Sequence, residues 1–176
     1  MSKSSEQPKI SNLNDLLAVA YQIENDAVER YKVLADQMDA HNNTELVKIF
    51  RDLARAEEIH GEEIRRLAGD FDVVSHARQI ARFGRVGSPE EAEIDDAHYL
   101  MTPWHALQLS LAGEERALAY FTRIVETAKD PRVKALAEEL VEEEAEHVNL
   151  VHRLLRRYPK PSESWADDPD PPASQE

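Results

Sequence analysis

The chain contains no cysteine among its 176 residues. Disulfides, thiolate catalysis, iron–sulfur clusters and thiolate zinc sites are thereby excluded. Any bound metal must be held by Glu, Asp and His, a donor set that suits iron, manganese or zinc. Glycine is scarce, at 5 residues, which fits a mostly helical protein. Positive charge is also short: 21 Lys and Arg stand against 35 Asp and Glu, a formal net charge of −14. Such a surface repels phosphate backbones and anionic lipid, so no nucleic-acid or membrane-surface partner is expected. No apolar run approaches bilayer length, and the opening Met1-Ser2-Lys3-Ser4-Ser5 has no signal-peptide core, so the expected compartment is the cytoplasm.

What is present is a strong helical signal over a length suited to one domain. Stop and start residues mark four long helices. The first opens near Ser11 or Asn12 and runs to about Ala40. The second opens at Asn43 and ends at Gly69. The third opens with Thr102-Pro103, and the fourth repeats that device with Asp130-Pro131 and stops at Tyr158-Pro159. The links between the first and second, and between the third and fourth, are short enough to force antiparallel neighbours. The intervening crossover, residues 70–101, is long enough to return along the bundle, with short helices expected at Val73–Phe83 and from Ser88. Residues 11–158 thus read as an all-α four-helix bundle of two antiparallel hairpins. Residues 1–10 form a flexible N-terminus, and residues 159–176 an acidic, proline-rich, disordered tail. That tail, with Trp165, is a candidate docking segment for a protein partner.

Six polar residues interrupt otherwise apolar stripes. The first helix presents Leu13, Leu16, Leu17, Ala20, Glu24, Ala27, Val28, Tyr31, Leu34 and Met38 on one face. The second presents Leu46, Ile49, Phe50, Leu53, Glu57, His60, Ile64 and Leu67. Leu107, Leu111, Glu114, Ala117, Phe121 and Ile124 follow on the third. Val133, Leu136, Leu140, Glu144, His147, Val151, Leu154 and Tyr158 follow on the fourth. Steps of three and four run unbroken through every glutamate and histidine, which places them at core positions. The pattern is also doubled. Glu24-x-x-Ala27-x-x-x-Tyr31 matches Glu114-x-x-Ala117-x-x-x-Phe121, and Leu53-x-x-x-Glu57-x-x-His60 matches Leu140-x-x-x-Glu144-x-x-His147, a pseudo-twofold arrangement.

Each of the four glutamates falls near the middle of its helix, so all should lie at one level of the bundle, with His60 and His147 one turn away. A lone Glu-x-x-His is common on exposed helices and carries little weight. Two copies on core stripes, each paired with a mid-helix core glutamate, point to metal. Four carboxylates balance two divalent ions, two neutral imidazoles complete the set, and coordination positions stay open for a reactant. Glu57 and Glu144, beside the histidines, are the natural bridging ligands, and Glu24 and Glu114 the terminal ones. Glu58, Glu62, Glu63, Glu142, Glu143 and Glu146 read instead as solvated faces, and His105 as structural. Tyr31, on the same face as Glu24, is a candidate for hydrogen-bonding a metal carboxylate or donating an electron, though an ordinary core tyrosine fits as well.

Glu24, Glu57-x-x-His60, Glu114 and Glu144-x-x-His147 in a four-helix bundle resemble the di-iron carboxylate proteins of the ferritin-like superfamily, and most closely the rubrerythrin branch, over residues 11–158. The resemblance implies two iron ions per site, or a manganese–iron pair, reacting with hydrogen peroxide or O₂, and a homodimer. It also shows departures. Ala117 stands where rubrerythrins usually carry a further glutamate. The four cysteines of a rubredoxin domain are absent, so electrons would come from an external donor. Glu58 replaces the haem-binding methionine of bacterioferritins, so no haem is expected. The proline-rich tail replaces the fifth helix of cage-forming ferritins.

Three functions compete at this level. One is a peroxidase or ferroxidase acting in oxidative stress and iron homeostasis. Another is an iron-binding and delivery protein without turnover, acting through a partner. The last is a metal-free structural bundle, which would have to carry four core glutamates by raising their pKa values.

Overall fold

The computed structural model describes residues 10–83 and 101–162. Its elements are α1 (Leu13–Ala40), α2 (Thr44–Ala68), α3 (Val73–Phe83), α4 (Pro103–Thr127) and α5 (Pro131–Leu155), with no strand among the described residues. Among those residues no helix is long and apolar enough to cross a membrane.

Local chemistry sets the helix ends. Asn12 and Asn43 cap α1 and α2 by accepting from the backbone N–H groups of Asp15 and Leu46. Asp130 accepts from Arg132 N–H at the start of α5, where Pro131 occupies the first turn. At α4 the expected cap takes another form. Thr102 makes no side-chain cap bond, because its hydroxyl lies 2.8 Å from Nδ1 of His105. Gly69 ends α2 with φ at 59°, a conformation that suits glycine. The fourth long helix stops at Leu155, short of the expected Tyr158. There the chain tightens, with Arg157 and Tyr158 N–H groups reaching back only three residues, to Leu154 and Leu155. The Tyr158 hydroxyl then donates to Glu45 at 2.7 Å and fastens the end of α5 to the start of α2.

The short links 41–43 and 128–130 join α1 to α2 and α4 to α5 as antiparallel hairpins, and α3 lies mainly on α1. The helix expected at Val73–Phe83 is therefore present. The start expected at Ser88, the N-terminal nine residues and the tail from residue 163, Trp165 included, lie outside the described residues. One expected core residue is misplaced. Leu67 is exposed at 59%, and Ala68 packs inward instead, because the stripe leaves Ile64 by a step of four rather than three.

The apolar core is split into two clusters. One contains Tyr31, Met38, Phe50, Leu107 and Val151; the other contains Leu16, Ile64, Phe121, Val133 and Leu140. The layer that separates them is polar, and it is the part of the bundle that decides function.

Candidate metal centre

Among the described residues the buried charged side chains are Glu24, Glu57, Glu114, Glu144 and Arg30. Four of the five are the glutamates that interrupt the apolar stripes. Each comes from a different long helix, and the structure brings all of them together with His60 and His147. His60 Nδ1 lies 3.2 Å from Glu57 Oε2 and 3.8 Å from Glu24 Oε2. His147 Nδ1 lies 3.3 Å from both Glu57 Oε1 and Glu114 Oε2, and 3.8 Å from Glu144 Oε2. The two imidazoles are stacked, with centroids 5.4 Å apart. Glu57 alone presents one oxygen to each histidine, which is the geometry a bridging carboxylate needs. Two groups of ligand atoms are close enough to hold an ion: Glu57, His60 and His147, and Glu114, Glu144 and His147.

The electrostatics show what the cluster lacks. Burial pushes the Glu24 carboxyl up to about 8 against the pull of His60, with Glu57 adding repulsion and a hydrogen bond to the protonated form. Burial, then repulsion from Glu114, Glu24 and Glu57, pushes Glu144 up to about 11, and a hydrogen bond to Glu114 again favours the proton. Without metal, the Glu24 and Glu144 carboxyls are thus each favoured in the protonated form. His60 is pushed up to about 10 by Glu24 and Glu57, against burial. Glu114 goes the other way: burial raises it, but His147, Arg30 and Tyr31 together hold it down at about 2.

Protons do not satisfy everything. Glu57 Oε1 and His147 Nδ1 face each other at 3.3 Å, both buried and neither with a hydrogen-bond partner among the described residues. Unpaired polar atoms at a core position are strongly unfavourable, and a cation bound by both would remove the defect. The donor set and these two orphaned atoms fit a pair of divalent ions.

Around Glu114 the structure adds residues that the apolar periodicity did not single out. Arg30 is 4% exposed and donates from Nη2 to Glu114 Oε1 at 2.7 Å. The Tyr31 hydroxyl donates to the same oxygen and accepts from Ser110 Oγ at 3.1 Å. Tyr31 is thus a hydrogen-bond partner of a candidate ligand, one of the two roles its position suggested. Gly113 makes the room: a Cβ there would stand 2.4 Å from Arg30 Nη1. Among the residues read as solvated, Glu58 is exposed and pairs with Lys32 at 3.1 Å, whereas Glu143 is half-buried, and burial raises its pKa.

An all-α ferritin-like bundle with a candidate di-metal centre is the class that fold and site define together. The family model described as Rubrerythrin matches residues 15–101, the stretch that carries Glu24, Glu57 and His60. Among solved structures, an uncharacterized conserved protein from Magnetospirillum magnetotacticum MS-1 is 36% identical, with a TM-score of 0.69. Its alignment covers 86% of this chain and 99% of that one. No curated protein matches the chain. The chain belongs to the rubrerythrin family.

Proposed function

We propose that this chain is a non-haem di-iron protein that oxidises Fe(II) with hydrogen peroxide or O₂, and that a separate protein supplies electrons for repeated turnover. The observation that carries the reading is Glu57, whose two oxygens face His60 and His147 from a buried layer of four carboxylates. Glu57 would reach both ions, with His60 and the neighbouring Glu24 completing one position and Glu114, Glu144 and His147 the other. Two iron ions bound there would supply one electron each, as the two-electron reduction of peroxide requires. For Fe(II) as substrate the balance is simple. Two Fe(II) give up one electron each, one hydrogen peroxide takes both with two protons, and two waters leave.

The residues around the ligands have separable roles. The two apolar clusters close the layer off above and below, so water is excluded along the bundle axis. The His60 side chain is 22% exposed, against 2% for Glu57 and Glu114, and marks the edge through which a small oxidant enters. The Glu24 and Glu144 carboxyls and the His60 ring hold the protons that metal uptake displaces.

Anaerobic loading with Fe(II), followed by separate additions of peroxide and O₂, tests the proposal. The expected result is rapid oxidation of two Fe(II) per chain, faster than in free solution, and repeated cycles when a reductant is added. Stoichiometric loading with no accelerated oxidation would mark an iron carrier instead.

A further inference from the structure

A buried arginine sits on Glu114. Arg30 Nη2 donates to Oε1 at 2.7 Å, and the Tyr31 hydroxyl donates to the same oxygen. Ser110 Oγ donates to the Tyr31 hydroxyl at 3.1 Å, which commits the hydrogen of that hydroxyl to Glu114. An ionised carboxylate oxygen has two acceptor directions, both near its own plane. Arg30 and Tyr31 therefore fill Oε1 between them. Oε2 remains, and it faces His147 Nδ1 at 3.3 Å, in the group of ligand atoms that also includes Glu144.

We propose that Arg30 is a positioning residue: together with Tyr31 it limits Glu114 to one bond to metal, through Oε2, and so keeps a coordination position open for the oxidant. The inference rests on the di-metal reading above. A carboxylate without such partners can bind an ion through both oxygens and close that position. With Oε1 filled, chelation would first require breaking a charge-assisted hydrogen bond, the stronger kind, inside a buried layer. Neutralising the charge of Glu114 is not enough to explain the geometry. An arginine does that best as a fork across both oxygens, whereas here Arg30 and Tyr31 converge on one. The donors are themselves held in place. The Arg30 guanidinium lies over the Tyr31 ring, 5.0 Å from its centroid, and Tyr31 stacks on Phe50 at 6.0 Å in the apolar cluster. Gly113 shows that the arrangement is built into the fold. Glycine is unfavourable inside a helix, and here it provides the space the guanidinium fills.

Anaerobic loading of the metal-free chain with Co(II) tests the inference without any turnover. The visible bands of Co(II) weaken as ligand atoms are added, and azide reports an open position. Arg30→Met should bind as much Co(II) as the unaltered chain, with weaker bands and an azide affinity lower by about tenfold. Tyr31→Phe frees the other direction of Oε1 and should move both readouts the same way. Arg30→Lys, which keeps one charged donor, should restore the bands and the azide affinity. Should Arg30→Met fold poorly, Tyr31→Phe decides the matter by the same two readouts. Unaltered bands and azide affinity in Arg30→Met, or in Tyr31→Phe where that variant alone folds, would overturn the inference and leave the di-metal reading standing. So would a loss of Co(II) from Arg30→Met with its helices intact, because Arg30 would then be needed for Glu114 to bind at all. No Co(II) uptake by the unaltered chain would overturn both.

Discussion

Glu57→Ala is expected to abolish metal uptake in both halves of the centre at once. Glu57 Oε2 lies 3.2 Å from His60 Nδ1, and Oε1 lies 3.3 Å from His147 Nδ1, so one side chain serves both positions. Removing an end carboxylate such as Glu24 should damage one position and leave the other loaded. Metal analysis after loading and desalting checks this, with circular dichroism to show that the helices persist. The expected content falls from two ions per chain to a small residue, and oxidation of Fe(II) falls to the rate in free solution. Uptake at the level of the unaltered chain would show that Glu57 is not a shared ligand.

The second large effect is on stability, and it runs against intuition. In the metal-free chain Glu144→Gln should stabilise the fold at neutral pH. An acid whose pKa is raised on folding binds its proton more tightly in the folded chain. Its unfavourable contribution is absent below the ordinary value of 4.5 and grows as pH rises, until pH passes the folded value. For Glu144 that window runs from 4.5 to about 11. From pH 4.5 to 7, at about 1.36 kcal/mol per pH unit, the substitution removes roughly 3 kcal/mol of destabilisation. Near pH 4.5 the gain should vanish.

Glu24 acts in the same direction between 4.5 and about 8. The stabilising contribution of His60 is complete below 6.5 and is lost as pH rises through about 10. That of Glu114 is present above 4.5 and is lost as pH falls through about 2. The metal-free chain should therefore weaken steadily from mildly acidic to alkaline pH. Urea unfolding of chelator-treated protein at pH 5 and pH 7 measures both effects. Saturating metal should reverse the order of the two chains, because the unaltered centre then gains binding free energy that the variant loses. A Glu144→Gln chain no more stable than its parent at pH 7, with metal removed, would contradict the account of the raised carboxyl.

Much of this was legible in the sequence because the signal was redundant. Glu24, Glu57, Glu114 and Glu144 each sit on an apolar stripe at mid-helix, and the structure buries all four. The links 41–43 and 128–130, too short for anything but antiparallel return, fixed the hairpins. Boundaries were less legible where the last turn tightens. Arg156, Arg157 and Tyr158 continue the helical pattern, yet the chain leaves the helix after Leu155 because bonds to residues three back, and a tie to Glu45, take over. The apolar period placed Leu67 inward, but a step of four from Ile64 turns Ala68 to the core instead.

Arg30 was not legible from periodicity, since arginine beside a core tyrosine ordinarily points to water. The available signal was indirect: Gly113, directly before Glu114 in the interior of a helix, asks for a close approach by something large. Its neighbour Ser110, a small polar residue on the buried face, is the other trace of the same cluster. Gly61, beside His60, would have misled, because a Cβ there meets only ordinary contacts at 3.8 Å. The pseudo-twofold pattern breaks at residues 30 and 31, Arg and Tyr, which stand against Tyr120 and Phe121.

The central claim is that one chain holds two divalent ions between its four long helices, with Glu57 shared. Anomalous diffraction from crystals grown with Mn(II) or Fe(II) addresses it most directly. Two peaks are expected in the buried layer, one beside Glu57 and His60, near Glu24, and one beside Glu114, Glu144 and His147. Peaks confined to the exposed acidic faces, or a layer without metal in which Glu24 and Glu144 keep their protons, would contradict it.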